Sequence, residues 1–81
     1  MNNFKDYITL KELAKELREK HNIRLSKSTL HYYSYIGLIK RECEFNEIHL
    51  YNREKIILRL IEIDKLKNKG FTLEEMKKQI K

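Results

Sequence analysis

Apolar positions recur at helical spacing in four stretches of the chain, and each stretch follows a capping residue. Thr9-x-x-Glu12 is a capping box: the Thr9 hydroxyl can accept from the N–H of Glu12, whose carboxylate reaches back to the N–H of Thr9. Leu10, Leu13, Ala14 and Leu17 follow at i, i+3, i+4 and i+7, which predicts a helix to about Lys20 with His21-Asn22 as its stop. Ser26 caps a second helix with Leu30 and Tyr33 on one face and Gly37 at its end. Asn52 precedes Ile56, Ile57, Leu60, Ile61 and Ile63, a third helix that Gly70 closes. Thr72-x-x-Glu75 is a second capping box, opening a last helix with Leu73, Met76 and Ile80 inward. Each cap is also flanked by a hydrophobic staple: Ile8 with Leu13, Leu25 with Leu30, Tyr51 with Ile56, Phe71 with Met76.

Between Gly37 and Asn52 the period changes. Leu38-Ile39-Lys40 and Ile48-His49-Leu50-Tyr51 read as two short strands, with Asn46-Glu47 near the turn. Two helices, a hairpin and two further helices describe a mainly α fold, a winged helix-turn-helix of four helices with a two-stranded wing after the second. The expected recognition helix spans 26–36 and the wing 38–51. The whole chain, 1–81, is expected to form one domain, and its 81 residues exclude a two-lobed enzyme with a cleft between lobes.

Composition sharpens this picture. Hydrophobic residues make up 41% and charged residues 37%, a globular balance with a heavily solvated surface. No apolar run approaches the ~20 residues that span a bilayer. Met1-Asn2-Asn3-Phe4-Lys5-Asp6 lacks the apolar stretch of a secretion signal, and one cysteine forms no internal disulfide, so a reducing, cytoplasmic location is expected. The net charge is +6, and its placement matters more than its size. From Lys20 to Arg41 there is no acid, while Lys20, Arg24, Lys27, Lys40 and Arg41 are basic; the remainder holds 13 bases against 12 acids. A field of one sign in one stretch suits a polyanion such as a phosphate backbone.

The first turn of the second helix holds Lys27, Ser28 and Thr29 and no acid, although a carboxylate there would complement the positive helix end. With Leu30 inward, Lys27, Ser28, His31 and Tyr32 point away from the core. Their side chains can donate to base edges or phosphates. Tyr33 is expected near the core boundary, its ring packed and its hydroxyl reaching outward. Tyr35 is expected to pack.

The stretch from Ser26 to Ile39, Ser-Lys-Ser-Thr-Leu-His-Tyr-Tyr-Ser-Tyr-Ile-Gly-Leu-Ile, resembles the recognition-helix signature of the MerR family of transcription regulators, with its aromatic pair, short spacer and Ile-Gly-Leu. His49-Leu-Tyr51 and 52–69 continue the resemblance, and Gly70-Phe-Thr-Leu-Glu-Glu-Met76 is similar to the family's Gly-Phe-Ser-Leu-Glu-Glu-Ile motif. The resemblance covers roughly residues 8–81. It implies double-stranded DNA as partner, read by the second helix and gripped by the wing. Carried over by position, it gives contacts to Lys27, Ser28, His31 and Tyr33. His31 and His49 stand at usual arginine positions, Ile48 at a usual tyrosine and Glu47 at a usual glycine. Lys40 and Arg41 are then expected to supply the backbone charge. The link His21 to Leu25 is longer than is usual in the family and is expected as an extension of the first helix.

Three histidines and Cys43 lack the paired spacing of a zinc site, so no metal and no cofactor are expected and Cys43 reads as a wing thiol. Nothing sets a nucleophile beside an oriented base, so no catalysis is expected. Two alternatives stay open: an excisionase-type factor that bends DNA, and a winged-helix protein-interaction module without base reading. Leu58 and Leu66 fall outside the apolar arc of the third helix, and the chain runs nine residues into the last helix, so a monomer is expected.

Overall fold

The structure is a computed structural model that describes residues 6–80. The five N-terminal residues, read above as lacking a secretion signal, and Lys81, read into the last helix, lie outside the described residues. The order is β1 (Tyr7–Ile8), α1 (Leu10–Lys20), α2 (Lys27–Tyr35), β2 (Cys43–Phe45), β3 (Ile48–Asn52), α3 (Arg53–Asn68) and α4 (Leu73–Gln79). The described residues form a small α-rich domain of four helices and one antiparallel sheet.

All four N-caps form as the chain dictates. Thr9, Ser26, Asn52 and Thr72 each accept from the backbone N–H three residues on, and both capping boxes close in both directions. The stops form too. After α2 the Gly37 N–H reaches the Ser34 carbonyl and the Leu38 N–H the Tyr33 carbonyl; after α3 Gly70 and Phe71 repeat the pattern onto Lys67 and Leu66. This geometry needs a left-handed residue after the cap. Gly37 and Gly70 supply it at φ +82° and +91°.

The core gathers Leu13 and Leu17 of α1, Leu30 and Tyr33 of α2, Tyr51 of β3, Ile56, Leu60 and Ile63 of α3, and Met76. All eight staple residues belong to this cluster or pack against it. The Arg53 guanidinium pairs with the Glu16 carboxylate, tying the start of α3 to α1.

The sheet corrects the expected one in two ways. It has three strands in the order β1-β3-β2, because Tyr7 and Ile8 pair with Asn52 and Tyr51. Leu38 and Ile39 form no strand. Their N–H groups both turn back to the Tyr33 carbonyl, at 2.9 and 3.3 Å, so they close α2 and are buried in the core. The strand lies further on, at Cys43–Phe45, and the turn falls at Asn46-Glu47 as expected, with Phe45 opposite Ile48. Both turn residues have positive φ, +49° and +67°, the signature of a two-residue type I′ hairpin. The link between the first two helices is also not helical. Asn22 at φ +53° breaks α1, and the Ile23 N–H donates to the Leu17 carbonyl at 3.0 Å, which buries Ile23.

Candidate nucleic-acid interface

On α2 the local chemistry separates two faces. Leu30 and Tyr33 are buried, while Lys27, Ser28, His31, Tyr32 and Tyr35 are exposed. Ser28, His31, Tyr32 and Tyr35 stand at i, i+3, i+4 and i+7, so they form one continuous stripe. Tyr32 is 50% and Tyr35 84% exposed, so Tyr35 does not pack as expected. Its i+7 spacing from Ser28 is the signal in the sequence that puts it on the stripe, against its aromatic type. Tyr33, by contrast, is 4% exposed. Burial, and after it the negative charge of Asp64, push its phenol pKa above the ordinary value.

The stripe carries no fixed negative charge in its first turn, unlike α1 with Glu12, α3 with Glu54 and α4 with Glu74 and Glu75. Ser26 and Thr29 satisfy each other there, Oγ to Oγ1 at 3.0 Å, and the Ser26 oxygen takes the Thr29 N–H at 3.1 Å. The positive helix end is therefore left to whatever approaches it. One hydrogen bond sets α2 against the sheet: the Tyr51 hydroxyl, fully buried, donates to Ser34 Oγ at 2.8 Å.

Lys40 and Arg41 are exposed at the root of the hairpin β2–β3. The hairpin also holds three acids, and two of them lie against other side chains: Glu42 is 3.8 Å from Lys55 and Glu44 is 3.2 Å from His49 Nε2. His49 Nε2 is also 3.4 Å from Arg41 Nη1. A single ring nitrogen serves one of these partners at a time, as donor to Glu44 or acceptor from Arg41. Arg41 is thus only loosely held. Among the described residues no carboxylate forms a salt bridge with Arg24, Lys27, Lys40 or Arg41, whereas Lys20 has Glu16 at 4.0 Å. An open cleft of about 380 Å³ beside the hairpin root adds two cations, Lys55 and Arg59 of α3, on the same rim as Lys40. Sequence order hid these two, because they join the basic surface only through the packing of α3.

The expected site residues therefore divide into a stripe (Lys27, Ser28, His31, Tyr32), a hairpin group (Lys40, Arg41, His49) and Tyr33, which lies in the core. Among the described residues no group of three metal-ligating side chains comes together, and no helix is long and apolar enough to cross a membrane. Comparison with known proteins returns no matching family model, no matching curated protein and no matching solved structure.

Proposed function

We propose that the chain is a winged helix-turn-helix domain, similar to the DNA-binding domain of MerR-type transcription regulators, that binds double-stranded DNA in a sequence-dependent way. In this reading α2 enters the major groove with Lys27, Ser28, His31 and Tyr32, and the hairpin lies on the backbone with Lys40 and Arg41. The observation that carries it is the exposed stripe on α2, a helix whose first turn bears a lysine and no acid, beside a hairpin root with two exposed cations. A helix of this kind fits the groove that displays a distinct donor and acceptor pattern for each base pair. The domain acts as a binding module rather than a catalyst, and as this chain it engages a half-site as a monomer.

The test is selection of bound sequences from a random duplex pool by the wild type and by Lys27→Ala. A consensus that Lys27→Ala relaxes supports the reading. Binding without salt dependence, or none at all, overturns it in favour of a protein-interaction module, since phosphate contacts impose a steep salt slope.

A further inference from the structure

The pairing of β2 with β3 gives the hairpin two faces. Cys43 stands opposite Leu50 and Phe45 opposite Ile48, so these four share one face, on which Phe45 and Ile48 are exposed. Glu44 stands opposite His49 on the other face, together with the fully buried Tyr51. On that second face one ring nitrogen is within reach of two groups of opposite charge. His49 Nε2 lies 3.2 Å from Glu44 Oε1 and 3.4 Å from Arg41 Nη1.

The two partners make incompatible demands. A guanidinium can only donate, and an ionised carboxylate can only accept. The ring nitrogen therefore satisfies Arg41 while it carries a lone pair and Glu44 while it carries a proton. Histidine is the side-chain type whose charge ordinarily changes between pH 5 and 8. A neutral ring with its proton on Nδ1 accepts from Arg41 and holds the guanidinium against the hairpin. A doubly protonated ring has no lone pair to offer. It donates to Glu44, which occupies the one carboxylate beside the ring, and its own charge repels the guanidinium. Both effects release Arg41. The other charges on this side are already engaged: Glu42 of the hairpin and Lys55 of α3 lie 3.8 Å apart. The last turn of α2 brings hydroxyls, with Ser34 bonded to Tyr51, and no charge.

We propose that a single proton on His49 decides whether Arg41 is held on the hairpin or free to meet an anionic partner, so that the hairpin root grips a phosphate backbone more strongly in acid. The partner in this proposal rests on the duplex-DNA reading above; the switch itself rests on the hairpin geometry alone. Coupling of this kind is reciprocal, so a phosphate that draws Arg41 away must also favour the protonated ring.

The switch is tested first in the free protein. Ring nitrogen shifts of His49 at about pH 8 should report a proton on Nδ1 and a lone pair on Nε2, and Arg41→Ala should move the ring toward the Nε2-protonated form. A ring protonated on Nε2 in the wild type at that pH overturns the switch, whatever the protein binds. Affinity for a labelled mixed-sequence duplex is then read by anisotropy at fixed salt between about pH 8 and 5.5 for wild type, His49→Gln and Arg41→Ala. His31, on the exposed stripe of α2, is present in all three, so the switch is the part of the rise that both variants remove. Wild type should gain roughly two- to tenfold more affinity on acidification than either variant, the fold-change of one net hydrogen bond. An equal gain in wild type and His49→Gln overturns the proposal. So does a gain that His49→Gln removes and Arg41→Ala keeps, because His49 then meets phosphate directly. Absence of salt-dependent binding at every pH overturns the duplex reading, and the ring shifts still decide the switch.

Discussion

Replacing Lys40 and Arg41 together by alanine tests the electrostatic grip at its clearest point. Both are exposed, and neither forms a salt bridge to a carboxylate among the described residues, because Glu42 and Glu44 lie against Lys55 and His49. Their charge is therefore available to phosphate. Each phosphate neutralised on B-DNA adds about 0.9 to the slope of log affinity against log salt, so losing two should flatten that slope by about 1.8. Between about 50 and 200 mM salt, the wild type should then lose about twelvefold more affinity than the variant. The assay is fluorescence anisotropy on a labelled mixed-sequence duplex across that range. Lys67→Ala/Lys69→Ala is the control, because it removes the same net charge at the far end of α3. That helix has 16 residues, or about 24 Å. The control should leave the slope within a few tenths of wild type. If the two double variants flatten it equally, net charge rather than the hairpin root governs binding, and the reasoning fails.

Three further outcomes follow from the geometry. Glu47 sits at φ +67°, where an L-residue costs about 1–2 kcal/mol and glycine does not, so Glu47→Gly should gain about 0.5–1 kcal/mol after its larger chain entropy is deducted; slower amide exchange at Glu42, which donates to Leu50 at 2.8 Å, checks it, and Glu47→Ala should show no gain. Tyr51→Phe removes the hydroxyl that donates to Ser34 and should cost about 1 kcal/mol, a fall of about 4–8 °C in Tm by circular dichroism. The Glu75 carboxyl is held below its ordinary pKa by the Thr72 backbone N–H first and the Thr72 hydroxyl second; a group depressed on folding stabilises the fold above its unfolded pKa and ceases to do so as pH falls through the folded one, so melting should become more acid-sensitive below about pH 5 in wild type than in Glu75→Gln.

The helices were legible in the sequence because their signals are local. A cap, its third-position acid and a staple lie within six residues of one another, and no tertiary contact was needed to place Thr9, Ser26, Asn52 and Thr72. The sheet was not, because its choices depend on partners far along the chain. Leu38 and Ile39 look like a strand by residue type, yet the glycine turn before them leaves their N–H groups bound to Tyr33. Cys43–Phe45 looks unremarkable until Ile48–Asn52 lies beside it, and Tyr7–Ile8 becomes a strand only by meeting Tyr51 and Asn52. On α2 the spacing turns Ser28, His31 and Tyr32 outward and Tyr35 with them, whereas aromatic type alone favours a packed Tyr35. The exposed apolar face of the hairpin was invisible, because it depends on a register that no glycine at the turn announced.

Departures from local rules are not spread evenly over this molecule. In α1, α3 and α4 the first turn carries an acid and the last turn carries bases, as the helix dipole favours. In α2 neither end is compensated, and two tyrosines stand in water. The hairpin adds a glutamate in a left-handed conformation and an apolar face turned away from the core. Each departure forgoes stability, by tenths of a kcal/mol up to about 1 for a dipole left uncompensated and about 1–2 for the left-handed glutamate. A small domain has little to spare, since a net stability of about 5–15 kcal/mol is typical even of larger ones. Random drift would scatter such concessions over the surface. Here most of them fall on α2 and the adjoining hairpin, which the Tyr51–Ser34 hydrogen bond holds together; Leu58 of α3, 61% exposed, and Asn22 at φ +53° lie elsewhere. Local inconsistency gathered mostly on one side of a domain is the pattern that the proposed function accounts for. In the proposed reading this is the side that meets DNA, with Lys27 and the hydroxyls of Ser28 and Tyr32 on the helix and Lys40 and Arg41 at the hairpin root.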